Sequence, residues 1–383
     1  MLVPPPLSLY VHLPWCVRKC PYCDFNSHAA KRPLPFDGYV EALVRDLDHD
    51  LPLVWGRVVN SVFFGGGTPS LFPPEAIDRF LQAASARLRF APNLEVTLET
   101  NPGTAEHGRF DRYLAAGVNR LSFGIQSFND EALHRLGRIH DSAEAEYAVK
   151  LAQDAGYDNL NLDLMYALPE QTLEQAEADL VRAFALAPTH ISHYQLTLEP
   201  NTVFHARPPR GIPDDDTAWD MQEHCQAMLA EQGYGQYEVS AYARPGRQCA
   251  HNLNYWRFGD YLGIGAGAHG KISDGAGQQV LRRWKHKHPQ AYLDLAGQPA
   301  AIGGDEIVLP ERLPFEYMLN LLRLHEGFRL ADFSACTGLP AEAIAVPLAQ
   351  AQARGWLEHA GDRIRPTELG HRFTNDVVEL FLT

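Results

Sequence analysis

The sequence predicts an α/β protein: an incomplete (β/α)6 barrel followed by a mostly helical, winged-helix-like domain. Two observations point there. Short apolar runs alternate with segments of helical spacing through the first half of the chain, the pattern of a parallel sheet covered by helices. After a stretch rich in Pro, Asp and Gly, Pro208–Asp216, that alternation stops and the chain later becomes mainly helical.

The expected strands are Leu7–Leu13, Val58–Phe64, Leu94–Glu99, Val118–Ile125, Leu160–Met165 and His190–Leu196. Several are almost continuously apolar, as strands buried on both faces are. Between them, Tyr39–Asp50, Pro74–Leu88, Glu106–Ala116, Ser142–Ala155 and Leu173–Leu186 repeat apolar residues at helical intervals. Six such units suit a curved, open barrel better than a closed eight-unit one. Beyond the linker come a helix at Trp219–Glu231, a glycine-rich stretch at Gly259–Gly270 and a hairpin near Gln278–Trp284. Helices at Phe315–Arg323, Leu330–Cys336 and Ala341–Ala353 follow, then short strands Leu357–His359 and Arg363–Pro366 and a last helix from Thr367. The expected division is a barrel core over 1–235, a connecting region over 236–304 and a C-terminal domain over 305–383.

Hydrophobic residues make up 45% and charged residues 21%, ordinary values for a globular protein. A formal net charge of -14 repels phosphate backbones and disfavours nucleic acid as main partner. The basic run Arg282, Arg283, Lys285 and Lys287 reads as a solvated face that can meet carboxylates or phosphates. No apolar stretch approaches the roughly 20 residues a membrane helix needs. Met1–Pro6 lacks the basic and apolar regions of a signal peptide, so a cytoplasmic location is expected.

Six cysteines are too sparse for a disulfide framework, yet Cys16, Cys20 and Cys23 fall in one short loop with CxxxCxxC spacing. Three thiolates on one loop can bind three irons of a [4Fe–4S] cube and leave the fourth open to an exogenous ligand. The competing reading is a zinc knuckle completed by His12 or His28, although the second cysteine pair usual in such sites is missing. Cys225 and Cys336 read as small buried hydrophobes. Gly65-Gly66-Gly67-Thr68 follows the second strand and would let backbone approach a ligand closely. Glu99 ends the third strand, Gln126 follows the fourth and Asp163 lies late in the fifth; this is the rim on which parallel α/β folds build sites.

Tyr10-Val-His-Leu-Pro-Trp-Cys16, Cys20-Pro-Tyr-Cys23-Asp-Phe-Asn, Phe64-Gly-Gly-Gly-Thr-Pro, Gly124-Ile-Gln-Ser-Phe and Asn161-Leu-Asp-Leu-Met-Tyr-Ala-Leu-Pro resemble the oxygen-independent coproporphyrinogen III oxidase-like radical S-adenosylmethionine (SAM) proteins. The resemblance covers nearly the whole chain. It implies a radical SAM barrel with a [4Fe–4S] cluster on Cys16, Cys20 and Cys23, and a C-terminal domain like that of the oxidase. It further implies SAM contacts from Tyr10, Tyr22, Gly66, Gly67, Thr68, Glu99, Gln126, Arg138 and Asp163. In that reading Glu99 and Asp163 meet ribose hydroxyls or the amino group, Arg138 pairs with the carboxylate, and the backbone at Tyr22 reads adenine.

Two branches of this family differ at readable positions. The true oxidases carry a further cysteine two residues after the third cluster cysteine, where this chain has Phe25, and an extension before the first strand, which begins here at about Leu7. The HemW-type haem chaperones carry HNxxYW, and His251-Asn252-Leu253-Asn254-Tyr255-Trp256 fits it. The resemblance therefore implies that His251 offers a nitrogen to haem iron while Tyr255 and Trp256 face the porphyrin. Cys249 stands two residues upstream, as an assistant or a buried residue. The expected function is haem binding and transfer to an acceptor protein, a membrane-associated respiratory component reached by transient membrane contact. The alternatives are coproporphyrinogen oxidation by radical SAM chemistry and a zinc-stabilised binding protein.

Overall fold

The computed structural model describes residues 1–30, 33–103 and 109–382. Six strands follow the apolar runs: β1 (Leu7–Leu13), β2 (Val58–Gly66), β3 (Arg89–Thr100), β4 (Arg120–Gln126), β5 (Leu160–Tyr166) and β6 (His190–Gln195). All five neighbouring pairs are parallel, in chain order. Leu9, Val11, Val62, Leu98, Leu121, Phe123, Leu162 and Leu164 are at most 1% exposed, which explains runs without polar alternation. Each such side chain contributes about 1.5–3 kcal/mol by leaving water.

The intervening helices are α1 (Phe36–Asp50), α2 (Pro74–Ser85), α3 (Phe110–Ala115), α4 (Asp130–Arg135), α5 (Ser142–Asp154) and α6 (Leu173–Ala185). Part of the helix expected over 106–116 lies outside the described residues. Capping boxes start α5, with Asp141 and Glu144, and α6, with Thr172 and Gln175. The helix α7 (Asp215–Glu231) follows the linker.

Residues expected as a connecting region extend the same sheet. β7 (Gly235–Glu238) and β8 (Ala241–Ala243) add antiparallel strands beside β6. A short helix, α8 (Ala250–Trp256), carries the HNLNYW segment. Next, β9 (Asp260–Ile264) pairs parallel to β1, making a seventh parallel strand, and β10 (His269–Asp274), β11 (Gln279–Lys285) and β12 (Ile302–Ile307) continue antiparallel. The twelve-stranded order is β12-β11-β10-β9-β1-β2-β3-β4-β5-β6-β8-β7.

The basic run on β11 is mostly paired rather than solvated. Lys285 is 1% exposed and donates to Asp50 at 2.7 Å and to Asp46. Arg283 bridges Asp50 and Asp305, and Arg282 pairs with Glu316. These contacts tie the added strands to α1 and to the C-terminal domain.

In that domain, helices Leu313–Leu321, Leu330–Thr337 and Ala345–Ala353 precede the antiparallel strands Leu357–Ala360 and Arg363–Pro366, the three-helix-plus-wing arrangement expected. Gly361, at φ 66°, turns between them. Leu2, Phe258 and Val280 are packed into this second core, so it shares a face with the sheet.

Candidate cofactor and ligand site

The loop after β1 bends back through a two-residue parallel pairing of Trp15–Cys16 with His28–Ala29. This places Cys16, Cys20 and Cys23 on the wall of a cavity of about 400 Å³ at the C-terminal ends of the parallel strands. Among the described residues no three His, Cys, Asp or Glu groups converge on a single ion position. His12 and His28, the candidate fourth zinc ligands, instead bond to Asn26: His12 Nε2 lies 2.8 Å from its carbonyl, and His28 Nε2 lies 3.2 Å from its side-chain oxygen.

The same cavity collects Tyr22, Gly66, Gly67, Thr68, Glu99, Gln126, Arg138 and Asp163 from the loop and strand ends. The glycines permit close packing there. A Cβ on Gly67 would stand 2.4 Å from the Trp15 carbonyl oxygen, and one on Gly66, at φ 119°, 2.7 Å from the His12 ring. Gly66 N–H donates to Glu99 at 3.2 Å. Asp163 accepts from Asn161 at 2.8 Å and Ser122 at 3.2 Å. Gln126, held at φ 72°, accepts from the Tyr194 hydroxyl at 2.8 Å. Arg138 donates to Asn101 and to the Gly124 carbonyl, both at 2.6 Å, and approaches Cys20 Sγ at 3.5 Å. Its buried Nε has no partner among the described residues. A row of thiols, a cation beside one of them with a donor to spare, and two carboxyls on the sheet match the needs of a cluster and an amino-acid ligand.

Burial, then the Asp163 carboxyl, push Glu99 up from 4.5 to about 8; burial also raises Asp163. Folded Glu99 thus holds its proton over a window in which the unfolded chain has lost it, and its contribution to stability falls as pH rises from about 4.5 towards 8. Glu99→Gln is therefore expected to gain thermal stability over the ligand-free wild type progressively between about pH 5 and 8. A Tm difference that is flat or shrinks over that range would contradict the assignment.

A second cavity, of about 620 Å³, opens beside the first and shares Asp24, Phe25, Gly66 and Glu99 with it. Tyr10, expected at the SAM site, lines this neighbour instead, with its hydroxyl 3.0 Å from His12 Nδ1. Tyr255, Trp256 and Tyr261 form more of its wall, and Arg282 and Lys287 add positive charge. His251 is not on that surface. It is 1% exposed behind Tyr255, with Nε2 2.9 Å from the Tyr255 hydroxyl and Nδ1 2.9 Å from Ser61 Oγ. Burial, then the charge of Arg120, lower its pKa to about 3, so the ring is neutral. Cys249, fully buried, contacts Glu95.

The radical SAM superfamily profile matches residues 10–182, and the HemN C-terminal domain profile residues 308–373. Among curated proteins, the haem chaperone HemW of Escherichia coli (strain K12) is 50% identical over 99% of this chain and 98% of its own. HemW of Haemophilus influenzae is 49% identical over 99% and 98%. The chain belongs to the HemW family. Among solved structures, the radical SAM enzyme coproporphyrinogen III oxidase HemN from Escherichia coli superposes with a TM-score of 0.83 at 25% identity, covering 99% of this chain and 91% of that one.

In this HemW-family chain, Phe25 is 60% exposed and lies where the two cavities meet. Several wall residues had no motif to announce them. Asn101 joins Arg138 to Thr68, donating to the latter at 2.9 Å, and Tyr194 fixes Gln126. Both sit at or just after strand ends, so the rule that finds Glu99 and Asp163 reaches them as well. Arg120 is 2% exposed beneath the site; nothing in its local sequence separates it from a surface arginine.

Proposed function

We propose that this protein binds haem in the 620 Å³ cavity and delivers it to an acceptor protein, with a [4Fe–4S] cluster and exchangeable SAM in the adjoining cavity. The observation that carries this reading is the placement of Tyr255 and Trp256, from HNLNYW, on an aromatic and cationic cavity that shares a wall with the cysteine site. Tyr255 and Trp256 give the wall aromatic surface against which a porphyrin can pack, and Arg282 and Lys287 suit its propionates. The names of the curated relatives support the cargo.

In this reading Cys16, Cys20 and Cys23 hold the cluster. Tyr22, Gly66, Gly67, Thr68, Glu99, Gln126, Arg138 and Asp163 surround SAM, and Tyr10 stands at the border with haem. Bound there, cluster and SAM supply one-electron chemistry. His251 acts through Tyr255, whose hydroxyl it holds. We place the protein in the cytoplasm, with a membrane-associated respiratory protein as acceptor; no helix among the described residues is long and apolar enough to cross a membrane.

The test is an anaerobic haem titration of the reconstituted protein. Stoichiometric binding is expected, and His251→Ala should weaken it about tenfold while leaving the cluster absorption intact. Unchanged affinity would remove the motif from the site. Failure of the wild type to bind haem would favour coproporphyrinogen oxidation, with turnover of that substrate as the next assay.

A further inference from the structure

We propose that His269, rather than His251, supplies the imidazole that binds haem iron. The inference rests on the haem reading above and deepens it. Two histidines line the 620 Å³ cavity, His12 and His269. His12 is 5% exposed and both its ring nitrogens are engaged, by the Tyr10 hydroxyl and the Asn26 carbonyl. His251 lies outside that lining, behind Tyr255, with both nitrogens engaged as well. His269 is exposed, and its ring nitrogens have no hydrogen-bond partner among the described residues.

Its position is built rather than incidental. His269 opens β10 opposite Trp284 of β11, and the two rings stack with centroids 6.1 Å apart and planes at 21°. A Cβ on Gly263 would stand 1.9 Å from the His269 carbonyl oxygen, so the facing strand is pressed against it. The lining residues Arg282 and Lys287 offer two cations whose charge is felt at His269, Arg282 already bonded to Tyr261 and Glu316 and Lys287 exposed and without an ion pair among the described residues. An imidazole lone pair near two cations suits ferric iron flanked by propionates. Binding forms one iron–nitrogen bond and releases a water from the iron; no electron is transferred.

The experiment titrates full-length, cluster-reconstituted protein with ferric haem and, separately, with metal-free protoporphyrin IX. For His269→Ala, ferric haem should bind about tenfold or more weakly, metal-free porphyrin within about twofold of wild type, and added imidazole should restore the ferric spectrum. His251→Ala should keep the imidazole-ligated ferric spectrum. The proposal falls if His269→Ala keeps the wild-type ferric affinity and spectrum, or if it weakens both porphyrins equally. It also falls if His251→Ala alone removes the imidazole signature. A wild type that binds neither porphyrin would overturn the haem reading itself.

Discussion

Cys20→Ser is expected to abolish the [4Fe–4S] absorption of the reconstituted protein and its bound iron and sulfide. Cys20 is the middle member of the triad, and the Arg138 guanidinium lies 3.5 Å from its sulfur, where it can balance the charge of a bound cluster. No spare thiol stands ready to replace it. Cys225 is buried on α7, Cys249 is buried at the start of α8, and Cys336 belongs to the C-terminal domain. Two protein ligands hold a cube poorly, so the expected change is close to complete loss. Quantitation of iron and acid-labile sulfide after anaerobic reconstitution checks it. A variant that regains the full cluster would sink the three-cysteine assignment.

Lys285→Met should destabilise the fold by about 3–5 kcal/mol, the range for removing one partner of a buried ion pair. Lys285 stands between Asp46 and Asp50, all three about 1% exposed, and Asp46 also takes the Tyr292 hydroxyl at 2.8 Å. Burial pushes Asp50 up, yet Lys285, His49 and Arg283 together outweigh it and hold this carboxyl below its usual range. Its contribution is therefore present above the unfolded-state value and lost as pH falls through the folded one. Urea unfolding measures the change. Adding Asp46→Asn and Asp50→Asn should recover part of it, because the uncompensated charges go too. A loss below about 1 kcal/mol would mean that water reaches the site.

The first six strands were readable because burial on both faces keeps most of them rich in apolar residues; Leu7–Leu13 has the same bounds in sequence and structure. Arg89–Thr100 runs longer than its apolar stretch because β2 pairs with it as far back as Arg89. The strands between 260 and 307 were mostly obscure. Their mixed pattern reflects one partly exposed face and ion pairs such as Lys285–Asp46, and the partner of β9 is β1, far away in sequence. The cysteine triad, Glu99 and Gln126 were legible because each follows or ends a parallel strand, and Asp163 because it is a carboxylate inside an otherwise largely apolar one. The state of the histidines was not. Whether His251 or His269 keeps a free nitrogen depends on Ser61, Tyr255 and Trp284, which only the folded chain brings near them.

The pairing of β1 with β9 also dictates an order of assembly. During synthesis the cysteine loop and its six βα units emerge first, while one side of β1 has an unsatisfied row of amides and carbonyls until Asp260–Ile264 arrives. Val3 N–H waits longer still for the Ala335 carbonyl. Contacts so distant along the chain close slowly. The nascent protein therefore passes through a stage in which the cysteine loop exists and the wall formed by β9–β11 does not, with an adhesive strand edge exposed between them.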